Sequence, residues 1–453
     1  MSTQPQRVVV VGAGMAGLAT ALTAQEHGAR VTLLEAGAAP GGSAALSAGF
    51  ITTFGAYADY QRRIPLGEQA QGRLVMDHYD EAVRWLAGLG VEFAADQRGE
   101  AEGEFGFTRR HRMDPPTALA GLARVFVERG GTLRTGTRAL RLMTDDQGAV
   151  TGVVAQGPAG RETIPAASVV LATGGFQGNA ELTTHYVGRW ADRMLVRANP
   201  HSVGDALLMG LELGAGTSRA LHSFYGHLLP APPADITPER FFPPTAYYSR
   251  AVVLVNLGGE RFTDESLGDH VNAQAAARQD QAAVFGIFDQ AVHNQQIVGR
   301  PSGHPQGLNR LEAAREAGAW IAVEPSLDAL AARLSERGVR RTTLAQTLRA
   351  FNEAMAAGTD EPLPVPRAGF RAPLAQPPYY AIALMPAITL TYGGLRVSVR
   401  LQVLDRAGRP IAGLYAAGAD AGGTYFEQYG GGLAMALTLG RVAGAEAAQA
   451  AHG

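Results

Sequence analysis

The chain has 453 residues, of which 46% are hydrophobic, so it can bury a large core and should divide into two or more domains. Lysine and arginine number 39 against 41 aspartate and glutamate residues, a balance that argues against nucleic acid or an anionic membrane and for a small-molecule partner. Because cysteine is absent, disulfides, thiolate catalysis, cysteine-bound zinc and iron–sulfur clusters are excluded, and redox chemistry would need a bound cofactor.

The amino terminus shows no targeting pattern. Its first ten residues, MSTQPQRVVV, lack the charged segment, apolar stretch and cleavage site of a signal peptide. No run of about 18 apolar residues occurs that could cross a bilayer. We therefore expect a cytoplasmic protein without membrane insertion.

The first predicted elements are a strand, a helix and a second strand. Arg7 to Val11 is a valine-rich run typical of a parallel strand that is covered on both faces. Met15 to His27 has apolar residues at helical spacing, and Gly28 ends this helix. Arg30 to Leu34 supplies the second strand, so the order predicts a β-α-β unit.

The turn between this strand and helix carries the glycine pattern GAGMAG. Gly12 permits a tight turn, Gly14 lets the backbone approach a pyrophosphate, and Gly17 allows close packing of helix on strand. The phosphates would lie at the positive end of the helix, and Glu35 would accept hydrogen bonds from a ribose. The alternative is a tight turn without a ligand, but the full context of strand, turn, helix, strand and acid predicts a dinucleotide.

Later segments bear on which dinucleotide is bound, because NAD and FAD share this first unit. A second small-residue loop, Pro40 to Ser43 followed by Leu46 to Gly49, suits a longer and bulkier cofactor. Two more buried strands run into glycine turns, SVVLATGG at 168–175 and GLYAAG at 413–418, with Asp420 just beyond.

The middle of the chain has a different composition. Proline-rich stretches at 230–244 and 362–378 are typical of crossing points between domains. Between them, Ser326 to Arg337 and Thr343 to Ala357 have apolar residues at helical spacing, outside the nucleotide-binding pattern.

We therefore predict an α/β protein in which an α+β capping domain is inserted into a Rossmann-like domain. The predicted bounds are 1–232 and 373–453 for the cofactor domain and 233–372 for the capping domain.

Six motifs occur in a characteristic order: GAGMAG, PGGS, LATGGF, GERFTDE, TYGGL and LYAAGAD. Together they resemble the fumarate reductase and succinate dehydrogenase flavoprotein superfamily, which includes ketosteroid dehydrogenases, urocanate reductase and tricarballylate dehydrogenase. The resemblance implies a Rossmann-like FAD domain and a cap over the isoalloxazine. It also implies the desaturation, or in reverse the reduction, of a carbon–carbon bond beside an activating group in a small organic substrate. The cofactor-binding candidates that follow are Gly12, Gly14, Ala16, Gly17, Glu35, Ala36, Gly42, Ser43, Ser47, Gly49, Ala172, Thr173, Gly174, Asp205, Gly418, Ala419, Asp420 and Leu433.

The departures from the family pattern bear on the substrate. Fumarate reductases carry a histidine before the TYGGL-like turn, where this chain has Leu390. They also carry a proton-donating arginine, roughly where this chain has Asp269, and a clamp arginine that is missing from Glu427 to Gly432. Fumarate and succinate are therefore not expected as substrates. Ser43 occupies the neighbourhood of the histidine that attaches flavin covalently in respiratory members, so FAD should be bound noncovalently.

The resemblance directs attention to tyrosines as acid–base candidates, because steroid dehydrogenases of this superfamily depend on them. Tyr392 is the first candidate, followed by Tyr425 and Tyr429. A phenol with a pKa near ~10 acts as a base at neutral pH only if its anion is stabilised. The alternative for each of the three is a packing role with a satisfied hydroxyl.

Other candidates are less specific. His222 and His227 flank the segment Ser-Phe-Tyr-Gly, near the position of a substrate-contacting histidine in relatives, and His222 is the candidate, although a structural histidine is the plainer interpretation. His270 follows the cap motif, where a solvated loop histidine is the plainer interpretation. Arg396 could bind a substrate anion or carbonyl, or form a surface salt bridge. We expect Arg261 to organise the cap and Asp205 to support the cofactor. No metal ligands are assigned.

Several functions are compatible with these residues. The leading prediction is a dehydrogenase, or its reverse an ene-reductase, that exchanges electrons with an external carrier, quinone or oxygen. A flavin oxidase that releases hydrogen peroxide is an alternative. So is a non-catalytic flavin-binding partner protein, since the carboxylate clamps are lost. A dehydrogenase that uses NAD alone is the weakest alternative, because the PGGS and ATGG segments would then have no part in cofactor binding.

Overall fold

The computed structural model describes residues 7–94, 106–237, 240–298 and 308–452. The strands are β1 Arg7–Val11, β2 Arg30–Leu34, β3 Phe50–Thr53, β4 Arg109–Arg112, β5 Thr132–Arg134, β6 Arg138–Thr144, β7 Val150–Gly157, β8 Gly160–Pro165, β9 Ser168–Leu171, β10 Leu195–Val196, β11 Phe224–Pro230, β12 Val253–Asn256, β13 Val284–Asp289, β14 Ile321–Glu324, β15 Tyr379–Thr391, β16 Gln402–Leu404 and β17 Pro410–Ala416. The helices are α1 Met15–Glu26, α2 Tyr57–Arg63, α3 Gln69–Gly88, α4 Pro115–Glu128, α5 Ala180–Tyr186, α6 Asp205–Glu212, α7 Asp269–Ala277, α8 Gln290–Val292, α9 Arg310–Glu316, α10 Leu327–Ser335, α11 Arg341–Ala357 and α12 Gly432–His452.

The chain forms two compact units. Unit 1 comprises Met1–Leu182, Ala198–Phe224 and Leu390–Gly453, and unit 2 comprises Thr183–Arg197 and Tyr225–Thr389. The chain thus passes from unit 1 to unit 2 twice, after Leu182 and after Phe224, and returns to unit 1 at Ala198 and again at Leu390.

Unit 1 is built on a six-stranded sheet with the order β16-β17-β9-β1-β2-β5. The five strands from β17 to β5 are parallel to their neighbours, and only β16 is antiparallel. Val8, Val9 and Val10 of β1 are fully buried, as a central parallel strand with both faces covered requires. The predicted β-α-β unit is confirmed, with α1 ending at Glu26 and Gly28 taking a positive φ of 84°.

Two helices of unit 1 pack backbone to backbone. A Cβ on Gly440 of α12 would lie 2.5 Å from the carbonyl oxygen of Ala16, and one on Gly444 would lie 2.4 Å from that of Thr20. Because position 440 meets 16 and position 444 meets 20, α1 and α12 run parallel. The amino ends of both helices therefore lie at the carboxyl edge of the sheet, where β1 ends.

Unit 1 also contains two antiparallel sheets that the sequence patterns did not predict. The strands β6, β7 and β8 form a three-stranded meander, and β3 pairs with β4. Neither sheet disturbs the order of the parallel strands.

Unit 2 combines a mixed sheet with helices. The sheet has the order β10-β15-β13-β12, and β11 and β14 also pair with β15. The helices α10 and α11 confirm the two helices predicted in this region, and α11 begins two residues earlier than expected, at Arg341. Leu330, Leu348 and Phe351 of these helices are buried in one core cluster with Phe285 of β13. The α/β fold class with an inserted α+β domain is confirmed.

The limits of unit 2 differ from the predicted insertion at 233–372. The reason is that β11 and β15 belong to the sheet of this unit, so its limits follow these strands and not the prolines between them. The segment Thr183–Arg197 joins the same unit because β10 pairs with β15.

Within the described ranges, no helix combines the length and the apolar composition needed to cross a bilayer. Residues 1–6, on which the cytoplasmic prediction partly rests, lie outside those ranges. That location stays a prediction.

Candidate functional site

The glycine turn after β1 has the geometry that the sequence predicted for two of its glycines. Gly12 has a φ of 102°, and a Cβ there would lie 2.2 Å from the carbonyl oxygen of Ala172. A Cβ on Gly17 would lie 1.7 Å from the carbonyl oxygen of Gly12. No L-residue with a side chain fits at either position, so these glycines allow the tight turn and the close packing of α1 on β1.

Gly14 is in a different situation. A Cβ on this residue would meet only the carbonyl oxygen of Gly41, at 3.8 Å, which is ordinary contact. Gly14 and Gly41 form an isolated bridge, and the amide of Gly41 donates to the carbonyl of Ala13 at 2.8 Å. The first and second glycine loops therefore lie together, at the amino end of α1. The space above Gly14 is a cradle that a side chain would partly fill.

Glu35 lies at the end of β2 beside this turn. Its two carboxylate oxygens accept hydrogen bonds from the amides of Ala13 at 2.9 Å and Gly37 at 2.8 Å. Each oxygen keeps a second lone pair, so the buried carboxylate could still accept a hydrogen bond from a ribose hydroxyl. Ala36 follows it and is half-buried.

The other glycine turns of unit 1 converge on Asp420. Its carboxylate accepts hydrogen bonds from the amides of Gly174 at 3.3 Å and Gly175 at 3.0 Å. It also accepts from the Thr173 hydroxyl at 2.9 Å and from the Thr173 amide. Burial raises the pKa of Asp420, although these hydrogen bonds oppose that effect. The carboxylate therefore ties the ATGG turn after β9 to the turn after β17.

The TYGGL segment belongs to the same group of turns. The amide of Leu395 donates to the carbonyl of Asp420 at 2.8 Å, and a Cβ on Gly394 would lie 2.7 Å from that same oxygen. Thr391 lies beside Gly175, and its buried hydroxyl has no hydrogen-bond partner among the described residues. A hydroxyl in this state fits a ligand that supplies its partner.

The remaining cofactor candidates lie around these turns or support them. The Ser43 hydroxyl accepts from the amide of Asn199 at 3.1 Å, and that of Ser47 donates to the carbonyl of Ala44 at 2.7 Å. Asp205 begins α6 and forms a salt bridge with Arg138 at 2.6 Å. The others lie in the loops or at the helix ends already described: Ala16, Gly42, Gly49, Ala172, Gly418, Ala419 and Leu433.

The three candidate tyrosines form one aromatic cluster in unit 1. The Tyr425 ring makes edge-to-face contacts with Tyr392 and Tyr429, with centroid distances of 5.8 Å and 5.9 Å. The Tyr425 hydroxyl donates to the carbonyl of Gly431 at 2.8 Å, and burial raises the pKa of Tyr425 well above its usual range. The Tyr429 hydroxyl accepts from the amide of Gly432 at 2.6 Å. These contacts favour a structural role for Tyr425 and Tyr429.

Two further candidates of unit 1 have local partners. The Arg396 guanidinium donates to the carbonyls of Asp405 at 2.6 Å and Arg406 at 3.2 Å, which ties together the loop before β17. His222 is half-buried, and its ring packs edge-to-face on Phe426 at 5.3 Å. Neither arrangement resembles a prepared acid–base group.

Unit 2 holds a buried polar cluster that includes a residue passed over in the choice of candidates. His227 lies on β11, and its Nδ1 contacts the Asp269 carboxylate at the start of α7. Its Nε2 lies 2.9 Å from the Tyr225 hydroxyl. His227 and Asp269 are fully buried, whereas Tyr225 is half-buried.

Two buried arginines lie close to this cluster. Arg197 donates to the Tyr247 hydroxyl at 3.1 Å, and its guanidinium lies 4.1 Å from the centroid of the Phe241 ring. Arg310 donates to three backbone carbonyls between residues 242 and 245, and its guanidinium lies 4.6 Å from the Tyr247 ring centroid. Arg310 is 1% exposed, and its Nε and Nη2 lack hydrogen-bond partners within the described part of the chain.

The GERFTDE motif forms a separate buried ion cluster in unit 2. Glu265 accepts from Arg261 at 3.0 Å and 2.7 Å, from Arg367 at 2.9 Å and from the amide of Leu254 at 3.0 Å. Arg261 thus organises unit 2, as the sequence predicted. Arg367 was not predicted, because it lies 102 positions from Glu265 in a proline-rich stretch.

His270 is not the solvated loop residue that was the plainer interpretation. It is 1% exposed and lies within α7, with its Nδ1 3.8 Å from the neighbouring Asp269 carboxylate. His227 could have been chosen from its position, because Tyr225 and His227 alternate along a buried strand and so share one face. The contact between His227 and Asp269 was not predicted, because the two residues lie 42 positions apart.

Known proteins resemble this chain over almost its whole length. The FAD binding domain family matches residues 7–433. A vinyl phenol reductase of Lactiplantibacillus plantarum is 30% identical, over 98% of this chain and 97% of its own. A probable fumarate reductase of Shewanella frigidimarina is 28% identical, over 99% of this chain and 75% of its own.

Solved structures agree with these matches. An open conformation of a flavocytochrome c3 fumarate reductase has a TM-score of 0.72 at 25% identity, covering 99% of this chain and 79% of that one. The 3-ketosteroid delta1-dehydrogenase of Sterolibacterium denitrificans shares the fold, with a TM-score of 0.77 at 19% identity and coverage of 99% and 100%. The chain belongs to the FAD binding domain family, in the fumarate reductase and succinate dehydrogenase superfamily of FAD-dependent oxidoreductases that act on carbon–carbon bonds.

Proposed function

We propose that this enzyme reduces, or in reverse introduces, a carbon–carbon double bond beside an oxygen-bearing activating group in a small uncharged molecule. An alkenyl phenol or an enone is a substrate of this class. The relative with 30% identity is a vinyl phenol reductase, whose name specifies a substrate without a carboxylate. The absence from this sequence of the carboxylate-binding histidine and arginines of fumarate reductases supports the same choice.

The observation that carries this proposal is the cradle above Gly14, at the joint of two glycine loops. A pyrophosphate can approach the backbone of Gly14 closely, because no side chain stands there. The amino end of α1 adds the positive end of the helix dipole. We assign the adenosine ribose to Glu35 and the flavin end to the turns that Asp420 holds together, including the Thr391 hydroxyl. When bound, FAD supplies the acceptor or donor of the hydride.

We propose that FAD is held without a covalent bond. Ser43 stands where a flavin-linking histidine would be expected, and its hydroxyl is engaged by the Asn199 amide. Denaturation with acid should therefore release all of the yellow chromophore into the supernatant, and a coloured pellet would contradict the assignment.

One donor of unit 1 is suited to the activating oxygen. Tyr392 is 3% exposed and lies in the turn whose Leu395 amide donates to the Asp420 carbonyl, so it remains our first substrate-contacting residue. A phenol hydroxyl there could stabilise negative charge that develops on a substrate oxygen. We leave Tyr425, Tyr429, His222 and Arg396 out of the chemistry because their contacts serve the fold.

We propose that the physiological electrons come from, or go to, an external carrier, a quinone or oxygen. The matched chain spans nearly all of the vinyl phenol reductase but three quarters of the fumarate reductase from Shewanella frigidimarina.

The decisive experiment is a reaction of the photoreduced enzyme without oxygen. We expect 4-vinylphenol or a cyclic enone to restore the oxidised flavin spectrum, with the saturated product, 4-ethylphenol or the cyclic ketone, detected by mass spectrometry. Fumarate, urocanate and acrylate should react at least about a hundredfold more slowly, because no matched arginine clamp binds their carboxylates. A yellow enzyme that fumarate oxidises fastest would refute the substrate class, and a protein that binds no FAD would refute the function.

A further inference from the structure

A cavity of about 580 Å³ opens in unit 2, beside the first residues of β13. Its floor is formed by Val284 and Phe285 of β13 and by Ala383 and Leu384 of β15, all of which are buried. The half-buried Leu257, which follows β12, extends this apolar lining. Cavities of roughly 300–1,000 Å³ with a mainly apolar lining are typical sites for small organic molecules. The cavity therefore has the size and the floor of a ligand site.

The rim of this cavity is positively charged. It carries the guanidinium groups of Arg193 and Arg337 and the carboxamide of Gln281, and the residues that line the cavity include no aspartate or glutamate. Glu336, which precedes Arg337, is paired with Arg333 instead. Within the described part of the chain, neither rim arginine forms a salt bridge with a carboxylate. An anionic group would thus complement the rim.

Both rim arginines are held in place by contacts that leave their charge uncompensated. Arg193 donates to the side-chain oxygen of Gln281 at 3.2 Å, and its guanidinium lies 4.9 Å from the ring of Trp190. The guanidinium of Arg337 lies 5.6 Å from the ring centroid of Trp320. Packing on an aromatic face orients a cation without supplying an anion. Such side chains lose less conformational entropy when they bind a ligand.

The turn before β13 contributes to this arrangement. Gln281 has a φ of 56° and the next residue, Ala282, has a φ of 51°. L-residues seldom adopt this left-handed conformation, and it persists where the surrounding structure enforces it, often at ligand sites. Ala282 is fully buried, so packing fixes the turn. The strained turn presents the Gln281 side chain to Arg193 at the rim.

We propose that this cavity binds an organic anion whose apolar body lies on the floor and whose carboxylate or sulfonate contacts Arg193 and Arg337. Burial of the apolar body supplies most of the affinity, because exposed ion pairs by themselves contribute little. The two oriented guanidinium groups select an anion over an uncharged molecule of the same shape. The inference is independent of the proposed function, since no candidate flavin-binding residue lines the cavity.

The first test compares two fluorescent dyes that share one apolar body. 8-Anilinonaphthalene-1-sulfonate carries a sulfonate, and N-phenyl-1-naphthylamine is the same body without it. In titrations of the FAD-loaded protein, the sulfonate should bind at least about tenfold more tightly than the amine, as expected for hydrogen bonds between charged groups. Added salt should reduce this difference, because the rim is exposed to solvent. Equal affinities for the two dyes would overturn the proposal.

Substitutions at the rim test the role of charge. Arg193→Gln and Arg337→Gln should each weaken binding of the sulfonate about tenfold and leave binding of the amine unchanged. Both side chains are exposed, so the variants should fold and retain FAD as the wild type does. The matched control is Arg349→Gln, an exposed arginine of α11 that does not line the cavity. If the rim variants bind the sulfonate no more weakly than this control does, the rim does not form the site.

A substitution that fills the cavity tests its floor. The half-buried Ala283 lines the cavity, and Ala283→Leu should weaken binding of both dyes about tenfold by occupying their space. Urea unfolding shows whether this variant is folded, and the rim variants decide the question if it is not. Unchanged affinity in a folded Ala283→Leu protein would show that the dyes bind elsewhere and would overturn the proposal.

Two further measurements concern the occupant. Fatty acids and aromatic acids share the proposed chemistry, so dodecanoate and 2-naphthoate are tested for displacement of the bound sulfonate dye. Displacement by either acid supports the site and identifies the body that it prefers, whereas displacement by neither contradicts it. Sedimentation of the wild type and of Arg337→Gln distinguishes a ligand from a second copy of the chain. A wild-type dimer that Arg337→Gln dissociates would assign the rim to an interface and overturn the proposal.

Discussion

Replacing Gly14 by alanine should separate cofactor binding from folding. Gly14 has φ −78° and ψ −170°, an extended conformation that any residue adopts. A methyl group there would contact only the Gly41 carbonyl, at 3.8 Å, so the apo protein should change its unfolding free energy by less than about 1 kcal/mol. The same methyl enters the proposed pyrophosphate cradle. We expect FAD affinity to fall at least about tenfold, which corresponds to ~1.4 kcal/mol.

Gly17→Ala provides the contrast. Its Cβ would lie 1.7 Å from the Gly12 carbonyl oxygen, so α1 would have to move, at a cost of about 3 kcal/mol or more. Gly121→Ala in α4 is the control, because a Cβ there meets nothing within 4 Å. Titration of the apo proteins with FAD measures affinity, and urea unfolding measures stability. If Gly14→Ala binds FAD as tightly as the wild type, the pyrophosphate does not lie at this turn.

Three further predictions concern stability and rate. Glu265→Gln should destabilise unit 2 by about 3 kcal/mol, because it leaves the buried guanidinium groups of Arg261 and Arg367 without their shared anion. The control Glu336→Gln, in an exposed pair with Arg333, should cost less than about 1 kcal/mol. The unfolding of unit 2 can be followed by tryptophan fluorescence in a Trp85→Phe background, where Trp190 and Trp320 report on this unit. Tyr392→Phe should slow anaerobic flavin bleaching by at least about tenfold, and an unchanged rate would remove Tyr392 from the mechanism. Because burial lowers the pKa of His227 to about 4 in the folded state, the unfolded state takes up a proton first as the pH falls. The free energy of unfolding of unit 2 should therefore decrease as the pH drops from about 6.5 to 4. His227→Gln should reduce the dependence of this free energy on pH by ~1.4 kcal/mol per pH unit, and an unchanged dependence would show that His227 is not buried in its neutral form.

The local parts of the fold were predictable from the sequence. Val8 to Val10 need both faces of a sheet covered, and Gly17 is required by the carbonyl oxygen of Gly12, five positions earlier in the chain. Such short-range requirements leave a pattern in the sequence. The helix α10 is another case, because Ser326 caps it through the amide of Ala329 and its apolar spacing is plain.

Contacts between distant segments were not predictable in the same way. The Asp420 carboxylate accepts from the amides of Gly174 and Gly175, about 245 positions away, and neither segment carries a sequence pattern that identifies the other as its partner. The same holds for Glu265 with Arg367 and for His227 with Asp269. The choice of His222 over His227 shows the difficulty: the two are five positions apart, and only burial on β11 tells them apart.

The return of the chain to unit 1 has a consequence for biosynthesis. The strand β17 completes the parallel sheet beside β9, and α12 covers α1 through Gly440 and Gly444. A nascent polypeptide that has emerged only as far as Thr389 therefore exposes an apolar sheet edge and one side of its first helix. The proposed flavin pocket also lacks Asp420 at that stage. Loading of the cofactor should accordingly wait until the segment with Asp420 has been synthesised, and chains truncated before Leu390 should accumulate as colourless, aggregation-prone material.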